Sequence, residues 1–152
     1  MGLFGQELFE KAEKTKGLGD PAYLKARRLS FTAAGPNGID RLMKVHRLDA
    51  LIAPTMPPAW KIDAVNGDQI SGGGTAGTLA AVAGYPHLTV PMGLIKGLPV
   101  GLSFVGGKWQ EARLLALGEA FERARGAFPA PRFLPSIEAS PEIAPLLEPV
   151  RR

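Results

Sequence analysis

An α/β architecture is what this sequence predicts, and three observations lead to it. Apolar, strand-length runs lie at 49–53 and on both sides of Lys96-Gly97, too short for helices that want ten or more residues. Lys96-Gly97 itself resembles a hairpin turn, with glycine supplying the positive φ. Segments of helical period precede, separate and follow these runs, the alternation expected of helices packed on a sheet.

Taken in order, residues 3–16 read as a short helix with Leu3, Phe4, Leu8 and Ala12 at helical spacing. Gly17 and Gly19 end it, because glycine accepts the left-handed turn cheaply. Asp20-Pro21 is an N-cap followed by proline in a first turn. The helix it opens runs through Tyr23, Leu24 and Leu29 toward Ala34, where Gly35-Pro36 is expected to break it. A third helix begins near Asn37 and carries Ile39, Leu42, Met43 and His46. Asp49–Ala53 is a short buried strand closed by Pro54, and Thr55 to Gly74 has no sustained period. Loops of that length in a compact domain are often lids or binding segments.

Thr75–Ala83, almost wholly small and aliphatic, reads as a buried helix stopped by Gly84 and Pro86. Leu88 to Val105 forms the hairpin; Val100, Leu102 and Phe104 alternate with Gly101 and Ser103. Pro91 and Pro99 weigh against full pairing of both strands. A helix over Gln110–Arg125 follows, with Leu114, Leu117, Phe121 and Ala124 as its apolar stripe and Glu119–Arg123 as a surface pair. Six of the fourteen prolines fall from Phe128 onward, so the tail is expected to be extended rather than helical.

The 152 residues amount to one ordinary domain, and 45% hydrophobic with 21% charged residues excludes bulk disorder. A net charge of +4 is mildly basic, without the dense clustering of a nucleic-acid tail. No cysteine is present, which excludes disulfides, thiolate nucleophiles and Cys-type metal sites. His46 and His87, the two histidines, lie far apart, so no metal site and no cofactor are expected. No apolar run approaches a bilayer span. Glu7, Glu10 and Glu13 interrupt the N-terminus, which is no signal peptide. Gln6 stands where a myristoylation motif wants Ser or Thr. The expected location is therefore the cytoplasm, with neither nucleic acid nor membrane as a partner.

Several motifs fail on inspection. Gly72-Gly-Gly-Thr-Ala-Gly77 fits G-x-G-x-x-G, yet it follows loop-like residues and no Asp or Glu occurs from Gln69 to Gln110. A dinucleotide site needs a preceding strand and an acid about 20 residues on. Such a loop entering a helix could still bind an anion or carbonyl oxygen through its amides. Gly107-Lys108 lacks the first glycine and the Ser/Thr of a Walker loop. Gly101-Leu-Ser103 starts like a nucleophile elbow, but Val105 replaces the closing glycine. Ser71 with its glycines imitates an active loop better, with His87 or Lys61 as candidate bases that sequence places nowhere near it. His87 reads as a packed or surface histidine, and Lys108, Arg113 and Arg123 as solvated charges.

Pro54-Thr-Met-Pro-Pro-Ala-Trp60 leaves the carboxyl end of the 49–53 strand, where open α/β sheets place ligands. Thr55 offers a hydroxyl; Trp60 is either a flat pocket wall or a cover for the core's edge.

Together these residues resemble a known family. His46-Arg-Leu-Asp49-Ala-Leu-Ile-Ala-Pro54-Thr resembles the strand and turn near the C-terminal end of amidase-signature enzymes. Ala83-Gly-Tyr-Pro86-His-Leu-Thr-Val-Pro91-Met-Gly, then Gly97-Leu-Pro-Val-Gly101-Leu-Ser-Phe, looks like the family's next block. Glu111-Ala-Arg-Leu-Leu-Ala-Leu-Gly118 matches the helix that follows. Phe4-Gly-Gln-Glu-Leu-Phe9 and the Pro54–Trp60 segment make the peptide-amidase branch look closest. The resemblance covers about Phe4 to Pro135.

The resemblance implies the C-terminal part of an α/β/α sandwich with a mixed sheet, spanning residues 1–135, and leaves 136–152, expected from its prolines to be an extended tail, unexplained. Such enzymes cleave carboxamides with a serine nucleophile, a second serine in a cis peptide and a lysine. Those groups sit on a Gly/Ser-rich stretch upstream of the blocks seen here, and the chain is expected to begin after it. No catalytic residue carries over. Thr55, Trp60, Asp68, Gly73 and Gly74 are the implied substrate-pocket candidates, for a small amide or peptide amide in the complete enzyme. The implied partner is the missing N-terminal amidase portion, or self-association through an open strand edge. A non-catalytic module binding a small molecule or partner, and a small serine hydrolase using Ser71 or Ser103, remain alternatives.

Overall fold

The computed structural model describes residues 5–68, 75–136, 139–141 and 143–147. The chain begins with helix α1 (Glu7–Glu13), which buries no residue; Leu8 and Phe9 stand exposed. Leu3 and Phe4 lie outside the described residues. Gly17 then takes φ +79. Helix α2 (Pro21–Ala34) opens as expected: the Asp20 carboxylate accepts from Ala22 N at 2.7 Å and Tyr23 N at 3.3 Å, with proline in the first turn.

The expected break at Gly35-Pro36 does not occur. The helix widens instead into a π-helical segment (Gly35–Asp40) that runs on into α3 (Arg41–His46). Pro36 has no amide hydrogen and its ring crowds the carbonyl one turn back. A widened turn relieves that clash without ending the helix. Gly38 closes the bulge, since a Cβ there would lie 2.6 Å from Ala33 O. The widened turn also delivers Asp40 to the Tyr85 hydroxyl, which donates to its carboxylate at 2.6 Å.

That hydrogen bond, with burial adding to it, pushes the Tyr85 pKa up to about 12 from 10.0. A raised value means the folded state favours the neutral phenol. The stabilisation is therefore complete below pH 10 and is lost as pH rises toward about 12. Tyr85→Phe is expected to remove about 1.5–3 kcal/mol, the range for hydrogen bonds to charged groups. It should also flatten the alkaline limb of stability, which denaturant titration at pH 8 and pH 11 would measure.

Three strands form the sheet, in the order β1-β3-β2. They are β1 (Leu51–Pro54), β2 (His87–Ile95) and β3 (Leu98–Val105), and both pairings are antiparallel. Lys96 (φ 49) and Gly97 (φ 77) make the two-residue turn, both positive as a type I′ hairpin requires. Pro91 and Pro99 do not prevent pairing: β2 and β3 stay in register along their length, apart from a bulge between Pro91 and Gly93.

Each sheet face carries its own core. Ala34, Ile39, Ala80, Ala83, Tyr85 and Val105 cluster on one, formed with α2, the π segment and α4 (Thr78–Ala83). Val90, Phe104 and Leu114 cluster on the other, beneath α5 (Glu111–Arg125). The result is helix, sheet, helix in three layers. Helix α4 begins later than the sequence suggests and buries only Ala80 and Ala83, while Leu79 and Val82 stay exposed on its other side. In α5 the buried stripe is Leu114 and Gly118, with Leu117 and Phe121 packed beside them; Ala124 is exposed. Gly118 replaces Ala124 in that role because the helix lies close to β2: a Cβ at 118 would meet Leu88 Cδ2 at 2.6 Å. The Glu119–Arg123 pair forms, and Arg113 pairs with Asp49 ahead of β1.

The tail is not wholly extended. Ala144–Leu147 make one helical turn, α6, and Ser140 is buried. No helix among the described residues is long and apolar enough to cross a membrane.

The molecule leaves much surface open. A compact chain of this mass exposes about 7400 Å², whereas this one exposes 12019 Å².

Candidate functional site

Where β1 runs out, four polar side chains meet on one sheet face. Ser103, fully buried on β3, donates to Thr55 Oγ1 at 2.8 Å and lies 2.6 Å from His87 Nε2. Thr55 Oγ1 donates to Thr89 Oγ1 at 3.4 Å, and Thr89 Oγ1 is 3.5 Å from Ser103 Oγ. With the serine proton committed to Thr55, His87 Nε2–H is the donor to Ser103. Each hydroxyl then finds an acceptor, so the buried serine leaves nothing unsatisfied.

The backbone around the cluster explains its composition. Thr55 N donates to Gly101 O at 2.8 Å, extending the β1–β3 ladder by one residue, and Thr55 O accepts from Ala76 N at 3.1 Å. Gly101 makes the room: a Cβ there would stand 2.7 Å from Thr89 Cγ2 and 2.8 Å from Thr55 Oγ1. Gly77 does the same for the His87 ring, whose Cε1 and Nδ1 would lie 2.9 Å from a Cβ at 77. The segment entering α4 is thus held on the sheet at Ala76 and Gly77.

Sequence reasoning missed His87, Thr89 and Ser103 as a group, and the reason is the bulge. Counting back from the Lys96-Gly97 turn without it puts Thr89 opposite Phe104 and Val90 opposite Ser103, polar against apolar. The one-residue bulge puts Thr89 opposite Ser103, Leu88 opposite Phe104 and Val90 opposite Leu102. Slipping by one residue exchanges the two faces of a strand. The mismatch, together with a glycine beside Pro91-Met92, is the signal that could have found it.

The other candidates lie along the loop after β1. Trp60 is 37% exposed. Asp68 is not brought to Thr55; its carboxylate accepts from Asp63 N at 3.3 Å. Asp63 in turn accepts from Val65 N at 2.9 Å, Asn66 N at 2.8 Å and Asn66 Nδ2 at 3.0 Å. The Asn66 amides, backbone first, and then Val65 hold the Asp63 carboxyl below its ordinary value of 3.8. This Asx turn folds the loop on itself. Gly73 and Gly74 lie outside the described residues, as does Ser71.

Chemically, the cluster offers hydrogen-bonding groups rather than an accessible nucleophile. Ser103 and His87 are within hydrogen-bond reach, but Ser103 has 0% exposure, so no carbonyl carbon can approach its oxygen. Thr55 and the exposed Thr89 are the hydroxyls a ligand could meet. Among the described residues no group of three His, Cys, Asp or Glu could hold a metal ion.

Comparison with known proteins sets this chain in a family. Residues 9–115 match the Amidase family model. An uncharacterized protein in the nthA 5′ region of Rhodococcus erythropolis is 36% identical over 135 residues, 84% of this chain and 65% of that protein. A probable amidase of Arabidopsis thaliana is 31% identical over 132 residues, 86% of this chain and 22% of its own length. Among solved structures, native peptide amidase from Stenotrophomonas maltophilia superposes with a TM-score of 0.77 at 48% identity. That match covers 88% of this chain and 26% of the other. The peptide amidase PAM in complex with the competitive inhibitor chymostatin gives 0.81 at 50% identity, covering 88% and 27%. The chain therefore spans about a quarter of the length of the peptide amidases it matches.

Proposed function

The chain belongs to the amidase family, and on that premise we propose that it is the C-terminal part of an amidase-signature hydrolase of carboxamide C–N bonds, inactive alone. Residues 1–135 form the amidase portion and 136–152 an appended tail. The serine pair and lysine sit on polypeptide outside this chain. The observation that carries the reading is the 50% identity to a peptide amidase over 88% of this chain but 27% of that one.

Within the assembled enzyme, Thr55, Trp60, Asp68, Gly73 and Gly74 line the substrate pocket. Thr55 presents its hydroxyl from the cluster with Ser103 and His87. Trp60 offers the apolar wall, and Asp68 fixes the shape of the loop between them through the Asp63 turn. The substrate is a small amide or peptide amide, a class supported by the peptide amidases this chain resembles. The location proposed for this enzyme is the cytoplasm. A serine-hydrolase reading on Ser103 has the 2.6 Å contact with His87 in its favour, but the serine's complete burial weighs against it.

The test is complementation. The chain is co-expressed with Stenotrophomonas maltophilia peptide amidase cut back to lack the region matched here, and ammonia release from a peptide amide is measured. Neither part alone is expected to turn over; together they should. In the complex, Trp60→Ala should raise KM about tenfold, the loss of 1–2 kcal/mol of apolar contact, with kcat changed little. Absence of turnover in a well-formed complex would refute the reading.

A further inference from the structure

We propose that the cavity between the β2–β3 turn and the C-terminal segment is a binding site for a small carboxylate with an apolar body. The inference goes beyond the functional reading above and does not depend on it.

The cavity measures about 560 Å³, within the range of sites that enclose a small molecule. One wall is the hairpin from Leu94 to Pro99; the other is the chain from Phe128 to Leu134, closed by Ser136 and Ser140. Leu98 stands five residues before Ser103 on β3, roughly 16 Å along a strand. None of the cluster Thr55, His87, Thr89 and Ser103 lines the cavity. Its second wall lies wholly beyond residue 115, where the Amidase family match ends.

The walls are held apart by their own construction. Pro99 on the hairpin side, and Pro129 and Pro131 opposite it, have fixed φ and resist folding inward. Phe128 is backed by Arg125, whose guanidinium carbon lies 5.0 Å from the ring centroid. Arg132 Nη2 donates to the Oγ of buried Ser140 at 3.3 Å. Ser140 O in turn accepts from Ile143 N at 3.0 Å and Ala144 N at 2.8 Å, tying the wall to α6. Walls formed in advance spare a ligand the cost of ordering them.

The lining selects the ligand. Leu94, Leu98, Phe128 and Leu134 give apolar sides, and the ionisable groups among the described lining residues, Lys96 and Arg132, are both cationic. Lys96 forms no ion pair among the described residues. A planar guanidinium matches the two oxygens of a carboxylate. Phe133 adds an independent sign: it lines the cavity at φ +48 while 89% exposed. A strained aromatic residue with so little burial in return is a feature of ligand clamps. A ligand beneath the ring would supply the missing contact.

The probe is decanoate, titrated calorimetrically into the 152-residue chain. It should bind saturably with a Kd at or below about 1 mM, and decanol at least tenfold more weakly. Acetyl-phenylalanyl-leucine, as free acid and as amide, separates the two sources of such a carboxylate. Tighter decanoate marks a fatty-acid site and a tighter peptide acid marks a site for a product of amide hydrolysis; either supports the proposal. Leu94→Glu, at a half-exposed position, puts a carboxylate into the cavity and should weaken decanoate at least tenfold. Lys96→Asn keeps a residue that accepts the turn's positive φ and should weaken it at least threefold. Phe133→Gly relieves the backbone, so the unfolding midpoint should hold or rise while decanoate binding weakens about fivefold. A residue that only shaped the tail would not split those two readings. No saturable binding of either acid, decanol binding as well as decanoate, or binding unchanged by Leu94→Glu overturns the proposal.

Discussion

Leu114→Ala is expected to cost about 2–5 kcal/mol, the range for emptying a well-packed leucine site. Leu114 is 1% exposed and sits with Val90 and Phe104 between α5 and the sheet. Its contacts reach further: a Cβ on Gly106 would lie 3.1 Å from Leu114 Cδ2, so the side chain also packs on the turn leading out of β3. Phe104 also makes an edge-to-face pair with Phe121, 6.1 Å between centroids, within the same cluster. Denaturant unfolding followed by far-UV circular dichroism, on the complex, measures the loss. A midpoint shift worth less than 1 kcal/mol would mean that α5 is held by something other than this cluster.

Gly101→Val is the second large effect, and it strikes the polar face rather than the apolar one. Where the glycine hydrogen now points, the first carbon would already be 2.7 Å from Thr89 Cγ2 and 2.8 Å from Thr55 Oγ1. Both threonines must move apart, and their hydroxyls leave Ser103. Overpacking of this kind costs about 1–3 kcal/mol. Because Thr55 O also holds Ala76 N, the loop entering α4 should loosen with it. Faster hydrogen exchange at the Ala76 amide, with little change at Leu114, is the expected signature. Uniform exchange across both faces would instead indicate global destabilisation.

Elements with local causes were legible in the sequence. Asp20-Pro21 starts a helix because a carboxylate and a proline satisfy its first turn whatever lies elsewhere. Lys96-Gly97 turns because a two-residue hairpin needs positive φ at both positions, and Gly84 ends α4 at φ +66 for the same kind of reason. Features set by tertiary contact were not legible. Gly35-Pro36 reads as a break until the Tyr85–Asp40 bond and the Ala33 carbonyl give the widened turn something to fit. Leu79 and Val82 read as core because they are aliphatic, yet they lie on the open side of α4.

The site divides along the same line. Thr55 was accessible from its place at the end of an apolar strand, since strand ends are where sheets put ligands. Its partners were hidden by a single extra residue at Met92, which moves His87 and Thr89 onto the face of Ser103. Asp68 is a pocket candidate by resemblance alone; its bond from Asp63 N, set by the turn at Asp63, was not legible in the sequence. Trp60, half in and half out, was undecided by composition because an indole serves equally as a core cover or as a wall.

The account is tested most directly by incubating the purified chain, with no companion polypeptide, with a C-terminally amidated peptide and following ammonia release. It predicts a rate indistinguishable from buffer at every substrate concentration. Saturable release that Ser103→Ala or Ser71→Ala abolishes would contradict it, by putting the nucleophile within these 152 residues.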